Sequence, residues 1–167
     1  MADLKGLGNV LRNMNVLIDT MEERNIKGMV KATIIVRRSM DETAPVIPWD
    51  TGNLHASWFV VTSSGGVASG KSPKFKGKNA GQAATDHNES KGKNKFIAEA
   101  SGMPGVIMGF SANYALFVHE NVGANFSQPT KGLRGRSGGA GAKFFEAAIK
   151  RNAGKILKVI ADESKII

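Results

Sequence analysis

The segment Pro48-Trp49-Asp50-Thr51-Gly52-Asn53-Leu54-His55-Ala56-Ser57-Trp58 divides the chain into a helical part and a mixed part. Pro48 fixes its own φ and cannot continue a helix. Asp50 can hydrogen-bond its own backbone two residues on, and Gly52 can take a positive φ, so Asp50-Thr51-Gly52 reads as a turn. Beyond it, Leu54, Ala56, Trp58 and Val60 alternate with Asn53, His55 and Ser57. That period predicts a half-buried strand from about Leu54 to Ser63. Its tail, Phe59-Val60-Val61-Thr62, is continuously β-prone, which predicts cover on both faces for that part.

Before the turn, Leu7, Leu11, Met14, Ile18 and Met21 recur at steps of four, three, four and three. They share one helical face, and such a stripe reads as core. After a phase shift near Asn25 the pattern resumes at Ile26, Met29, Val30 and Ile34. The expectation is one helix from about Val10 to Met40, or two joined near Asn25, closed by Pro45 and Pro48. Gly28 would cost such a helix about 1 kcal/mol against alanine.

Residues 64–103 show no sustained periodicity. They read as a flexible basic excursion between two strands that orders against a partner. A second strand is expected at Gly105–Ser111. Tyr114, Phe117 and Val118 then predict a short helix, or a strand if the run is extended. From about Ala142, Phe145, Ile149, Ala153, Ile156 or Leu157, and Ile160 define an amphipathic helix with a cationic outer surface. The fold class is therefore α+β. A long N-terminal helix and a C-terminal amphipathic helix pack on a small, mainly antiparallel sheet with long basic loops, in one domain over residues 1–167.

Charge points to the kind of partner. The chain carries a net +9: residues 63–103 hold +4, residues 131–158 hold +7, and the rest of the chain sums to −2. Lys71, Lys74, Lys76, Lys78, Lys91, Lys93 and Lys95, with Lys131, Arg134 and Arg136, are the residues to face DNA or an acidic protein neighbour. The alternative is a solvated, solubilising surface. Phe75 and Phe96 are too few to make a stacking platform for single strands. No apolar run is long enough to cross a membrane, and no signal-peptide core opens the chain, so no membrane partner is expected. With no cysteine there is neither a disulfide framework nor thiolate chemistry.

The catalytic readings are weak. Gly65, Gly70, Lys71 and Ser72 match a phosphate-binding loop formally, but Pro73 and a lysine-rich run follow where a helix is required. His119-Glu120 lacks metal-ligand spacing. His87, read as a loop residue near Asp86 and Glu89, could hold a cation only loosely, and His55 falls on the polar side of its strand. No enzyme activity, cofactor or metal is expected.

The order of features resembles one known family. A long helix leads to Pro48, Asp50, Thr51, Gly52, Leu54 and Ser57. Tyr114, Ala115, Phe117, Val118 and Glu120 follow, then a C-terminal helix opened by Phe144 or Phe145. This is similar to the tail-completion, or neck, proteins of tailed bacteriophages, related to a minor tail component of lambda-like phages. In relatives the second segment runs into Glu-x-Gly, whereas here Glu120-Asn121-Val122-Gly123 carries one residue more. The resemblance implies a non-enzymatic virion protein, made in the host cytoplasm and built into the head–tail junction. It implies a homo-oligomeric ring of six copies around the genomic DNA, against connector (head-completion) and tail terminator or tail tube proteins. In that frame Pro48, Asp50, Thr51, Gly52, Leu54, Ser57, Tyr114 and Phe117 are scaffold, with Tyr114 and Phe117 packed on the sheet or a neighbour. A tail terminator capping the tail tube and a free non-specific DNA-binding protein are the alternatives.

Overall fold

In the computed structural model the described residues are 7–66, 73–124, 126 and 139–165. The fold is α+β. One unbroken helix, α1 (Leu7–Glu42), is followed by a single helical turn, α2 (Asn53–Ala56), and the strand β1 (Trp58–Thr62). Then come α3 (Ala80–Ala100), β2 (Val106–Phe110), α4 (Ala115–Glu120) and α5 (Phe144–Ser164). The strands pair antiparallel, with Trp58 opposite Phe110 and Thr62 opposite Val106.

The two strands are held between helices. Trp58, Met108 and Phe110 join Val36, Met40, Ile47, Leu54, Ala115, Phe144 and Ala148 in the main core, against α1 and α5. On the other face, the Phe59 ring meets His87 of α3 at 6.4 Å. Phe59 to Thr62 are all buried, so the continuous apolar tail of this strand is covered on both faces as its composition predicts.

The strand starts later than alternation predicts. Leu54 and Trp58 are four apart, so a turn of helix carries both to the core as well as a strand would. Gly52, at φ +87°, opens that turn.

The larger correction is α3, whose 21 residues occupy about half of the stretch expected to be a flexible excursion. Its inward positions are Ala80, Ala84, His87, Lys91, Asn94 and Ala98, at helical steps of four and three. They are small or polar, so the stripe that binds this helix to the sheet has no hydrophobic period to detect.

α1 and α5 cross closely at Gly28, which is buried. A Cβ there would lie 3.0 Å from the Ile160 Cα and 3.2 Å from the Ile160 carbonyl oxygen. The contact is fastened by Lys27 and Lys31 on Glu163, by Arg24 donating to the Lys165 carbonyl, and by Ser164 donating to Asn25. The buried stripe of α1 is Gly28, Ala32, Val36 and Met40, and Ile34 of the predicted face is exposed. On α5 the fully buried positions are Phe144, Ala148 and Asn152; of the predicted face Phe145 and Ile156 pack against the core and Ile160 meets Gly28, whereas Ile149 and Ala153 are exposed. On α1 the close crossing selects small residues, Gly28 and Ala32, over large ones.

The N-terminal stripe of α1 is not core. Leu11, Met14, Ile18 and Met21 are 36–52% exposed, on a stretch that projects beyond the contact with α5.

Gly28→Leu should destabilise the protein by about 1–3 kcal/mol, because the obstructing atoms are backbone. Gly8→Ala, with nothing within 4 Å, should leave the melting of the body unchanged and raise helix content. Urea melts followed by circular dichroism check both.

Candidate functional site

The turn and the Tyr114 segment, about 60 residues apart in sequence, wall one cavity of about 420 Å³. Pro48, Trp49, Asp50, Thr51, Gly52 and Leu54 form one side, and Tyr114, Val118, Phe126 and Ala140 the other. Six scaffold residues named from sequence therefore meet here: Pro48, Asp50, Thr51, Gly52, Leu54 and Tyr114. Two do not. Ser57 is fully buried behind the cavity, where its Oγ donates to the Leu54 carbonyl at 2.8 Å. Phe117 is 69% exposed on α4, so it does not pack on the sheet. Asp50 does not close the turn. Thr51 Oγ1 takes the Asn53 amide instead, at 3.4 Å.

Gly52 is required twice over. Its φ is left-handed, and a Cβ would lie 2.9 Å from the Trp49 ring. Beneath Trp49 lies a charged group that spacing gave no reason to expect. His55, far from the polar side of a strand, is nearly buried against the Trp49 ring at 4.5 Å between ring centres. Its Nε2 donates to the Ile47 carbonyl at 3.2 Å. Its Nδ1 lies 3.2 Å from the Arg37 guanidinium and 3.3 Å from Asp41 Oδ1. A neutral ring accepts from Arg37, and a protonated ring donates to Asp41. Arg37 Nε donates to Asp41 Oδ2 at 2.9 Å, and the guanidinium stands 5.7 Å from the Trp58 ring centre. Burial alone would raise the Asp41 pKa. His55 and the charge of Arg37, both beside the carboxylate, outweigh it and hold the carboxyl below its usual range. The network ties α1 to the turn and supports Trp49, one of the cavity's lining residues.

Three of the lysines named from sequence, Lys74, Lys76 and Lys78, lie next to the turn. Asn53 clamps the backbone of Lys76 from both sides, accepting its amide at 2.9 Å and donating to its carbonyl at 3.0 Å. Lys74, Lys76 and Lys78 are thereby held at the surface next to the turn, all exposed. Lys93 is exposed on α3, Lys91 and Lys95 are half-buried, and Lys95 lies 3.8 Å from Glu99. Lys71, Lys131, Arg134 and Arg136 lie outside the described residues. Residues 73–79, which follow the formal phosphate-loop match, are not helical, so the required helix N-terminus is missing there.

His87 is not a loop residue. It is buried on α3, its Nδ1 2.8 Å from Ser111 Oγ, which in turn donates to the Ser57 carbonyl. Its Nε2 has no hydrogen-bond partner among the described residues. Burial first, and Lys91 second, lower its pKa from the ordinary 6.5. Near Glu120, Lys143 and His119 both hydrogen-bond the carboxylate and hold its pKa down. Lys143 takes φ +58° to start α5, and its amide donates to the His119 carbonyl at 2.7 Å. The extra residue after Glu120 thus leaves this glutamate joined to the start of the last helix.

Among the described residues no group of three or more His, Asp or Glu side chains is placed to hold a metal ion. No helix among them is long and apolar enough to cross a membrane. Comparison with models of protein families, with curated proteins and with solved structures finds no match.

Gly52→Ala should cost about 1–3 kcal/mol through the forbidden φ and the Trp49 contact, with a change in tryptophan emission. An unchanged melt and spectrum would refute the close contact. His87, with its folded pKa below the unfolded one, contributes stability that is full above about pH 6.5 and lost as pH falls toward the folded value. Urea melts between pH 7.5 and 5 should show that loss in the native chain and a flatter profile in His87→Gln.

Proposed function

We propose that this chain is a non-enzymatic structural subunit of the tailed-bacteriophage neck. In this reading copies close into a ring of about six at the head–tail junction, between connector and tail, with genomic DNA passing through. The observation that carries the reading is the meeting of two short segments at one cavity. Pro48–Leu54 and Tyr114–Val118 are the stretches on which the family resemblance rests, and they wall the same cleft.

Two features support it. The Arg37–Asp41–His55 network beneath the cleft links helix, turn and carbonyl in a rigid frame, which suits scaffold. Lys74, Lys76 and Lys78 stand out from that frame, and exposed cations beside a rigid edge suit a phosphate backbone or an acidic neighbouring ring. Those same lysines favour one second reading, a lone subunit that binds duplex DNA without sequence preference.

Purified protein should form closed rings, visible by negative-stain microscopy and native mass spectrometry, and should join connector complexes from filled heads. A species that never forms rings and joins neither connectors nor tails would overturn the proposal. Docking on isolated tail tubes rather than on heads would make it a tail terminator. Tight duplex binding by the lone subunit, falling steeply with salt and lost in a Lys74, Lys76 and Lys78 triple glutamate variant, would establish the second reading.

A further inference from the structure

The first four to five turns of α1 are an apolar arm with nothing on them among the described residues. The last fastening to α5 is at Arg24, so residues 7–23 extend about 25 Å beyond it at 1.5 Å per residue. Val10, Leu11, Met14, Leu17 and Ile18 are each about half exposed, which for a helical side chain means an open flank. Exposed apolar stripes of this length mark interaction surfaces.

We propose that the arm is a self-association surface, covered by the arm of a second copy of this chain in antiparallel order, with Met14 at the two-fold axis. A two-fold contact requires a patch that complements itself. This one does. The residues three and four before Met14 are Leu11 and Val10, and those three and four after it are Leu17 and Ile18. Reversing the helix about Met14 therefore sets apolar against apolar at every step, Leu11 on Leu17 and Val10 on Ile18.

Charge selects the same occupant and the same direction. The chain carries +9, yet residues 7–21 hold only Arg12 and Asp19. These lie about 160° and 140° round the helix from Met14. The arm is thus a long surface on which two copies meet without repulsion. In parallel order the two cationic bodies would stand side by side. In antiparallel order the two Arg24 positions are roughly 30 Å apart along the axis, well beyond the screening length of about 8–10 Å. A lipid surface is the poorer fit, because an interfacial helix flanks its apolar face with lysine and arginine. The contact would bury on the order of 1,000 Å² over both copies, the low end of specific interfaces, which sets a weak pair rather than an obligate one.

The absence of cysteine makes the test direct. Under mild oxidation Met14→Cys should link to its own copy, giving at least roughly ten-fold more covalent dimer than Met21→Cys, whose two copies lie about 21 Å apart along the axis. Sedimentation should show a concentration-dependent dimer in the native chain. Leu17→Asp should lose that concentration-dependent pairing, with an unchanged melt of the body, since the side chain is exposed. Equal linking at positions 14 and 21 would mean parallel packing and overturn the proposal. So would a native chain that stays monomeric at about 100 μM, or a monomer whose arm binds phosphatidylcholine–phosphatidylglycerol vesicles. The inference rests on the arm and not on the ring: Leu17→Asp that still closes rings leaves the neck reading standing, and a dimer without rings does the reverse.

Discussion

A two-stranded sheet is marginal in water, and everything in this fold follows from covering one on both faces. β1 is the strand at the centre. Trp58 looks toward α1 and α5, Phe59 looks toward α3, and no residue from 59 to 62 reaches solvent. The two covers are chemically different. The α1–α5 side is a conventional apolar core around Phe144, Met40 and Ile47. The α3 side rests on alanines and a histidine, with Phe59 and Phe75 against the imidazole. A buried imidazole keeps one nitrogen bonded to Ser111 and finds no partner for the other among the described residues, so that side should be the more sensitive to acid.

The cavity beside the turn depends on the same frame. Pro48 and Gly52 set the path of the chain, but Arg37 and Asp41 on α1 decide where His55 sits, and His55 supports Trp49. Asn53 then carries the order outward to the Lys76 backbone. A charge cluster read from sequence as a property of loops thus begins on a rigid clamp. A rigid mount lowers the loop entropy that a contact made through these lysines would cost. The arm of α1 is the opposite case, an apolar element with no cover from the described residues.

Much of the fold was legible. The first and last helices follow from periodicity and from Pro45 and Pro48, though one helix or two stayed open for the first; the second strand was also legible, and the run after Tyr114 fitted a short helix or a strand. α3 was not legible because its buried stripe is Ala80, Ala84, His87, Lys91, Asn94 and Ala98, in which no large apolar residue recurs at helical spacing. The start of β1 was misread because apolar residues two apart and four apart coexist in Leu54-His55-Ala56-Ser57-Trp58. At the site, Pro48, Gly52, Leu54 and Tyr114 could be named from turn chemistry and motif order. Arg37 and Asp41 could not. The only trace they leave is an i, i+4 pair of opposite charge, which on most helices is a solvated surface pair.

Sequence alone determined where the chain turns, which segments are helical by period, and that positive charge gathers after residue 62. These are local properties, set by backbone sterics and by residue spacing. The tertiary structure alone decided which apolar stripe is core. Leu11, Met14 and Ile18 have the better pattern, yet Gly28, Ala32 and Val36 are buried. The reason is geometric. Burial depends on what another element can approach, and a glycine that lets two helix backbones come within van der Waals contact outweighs a stripe of large side chains with nothing opposite them.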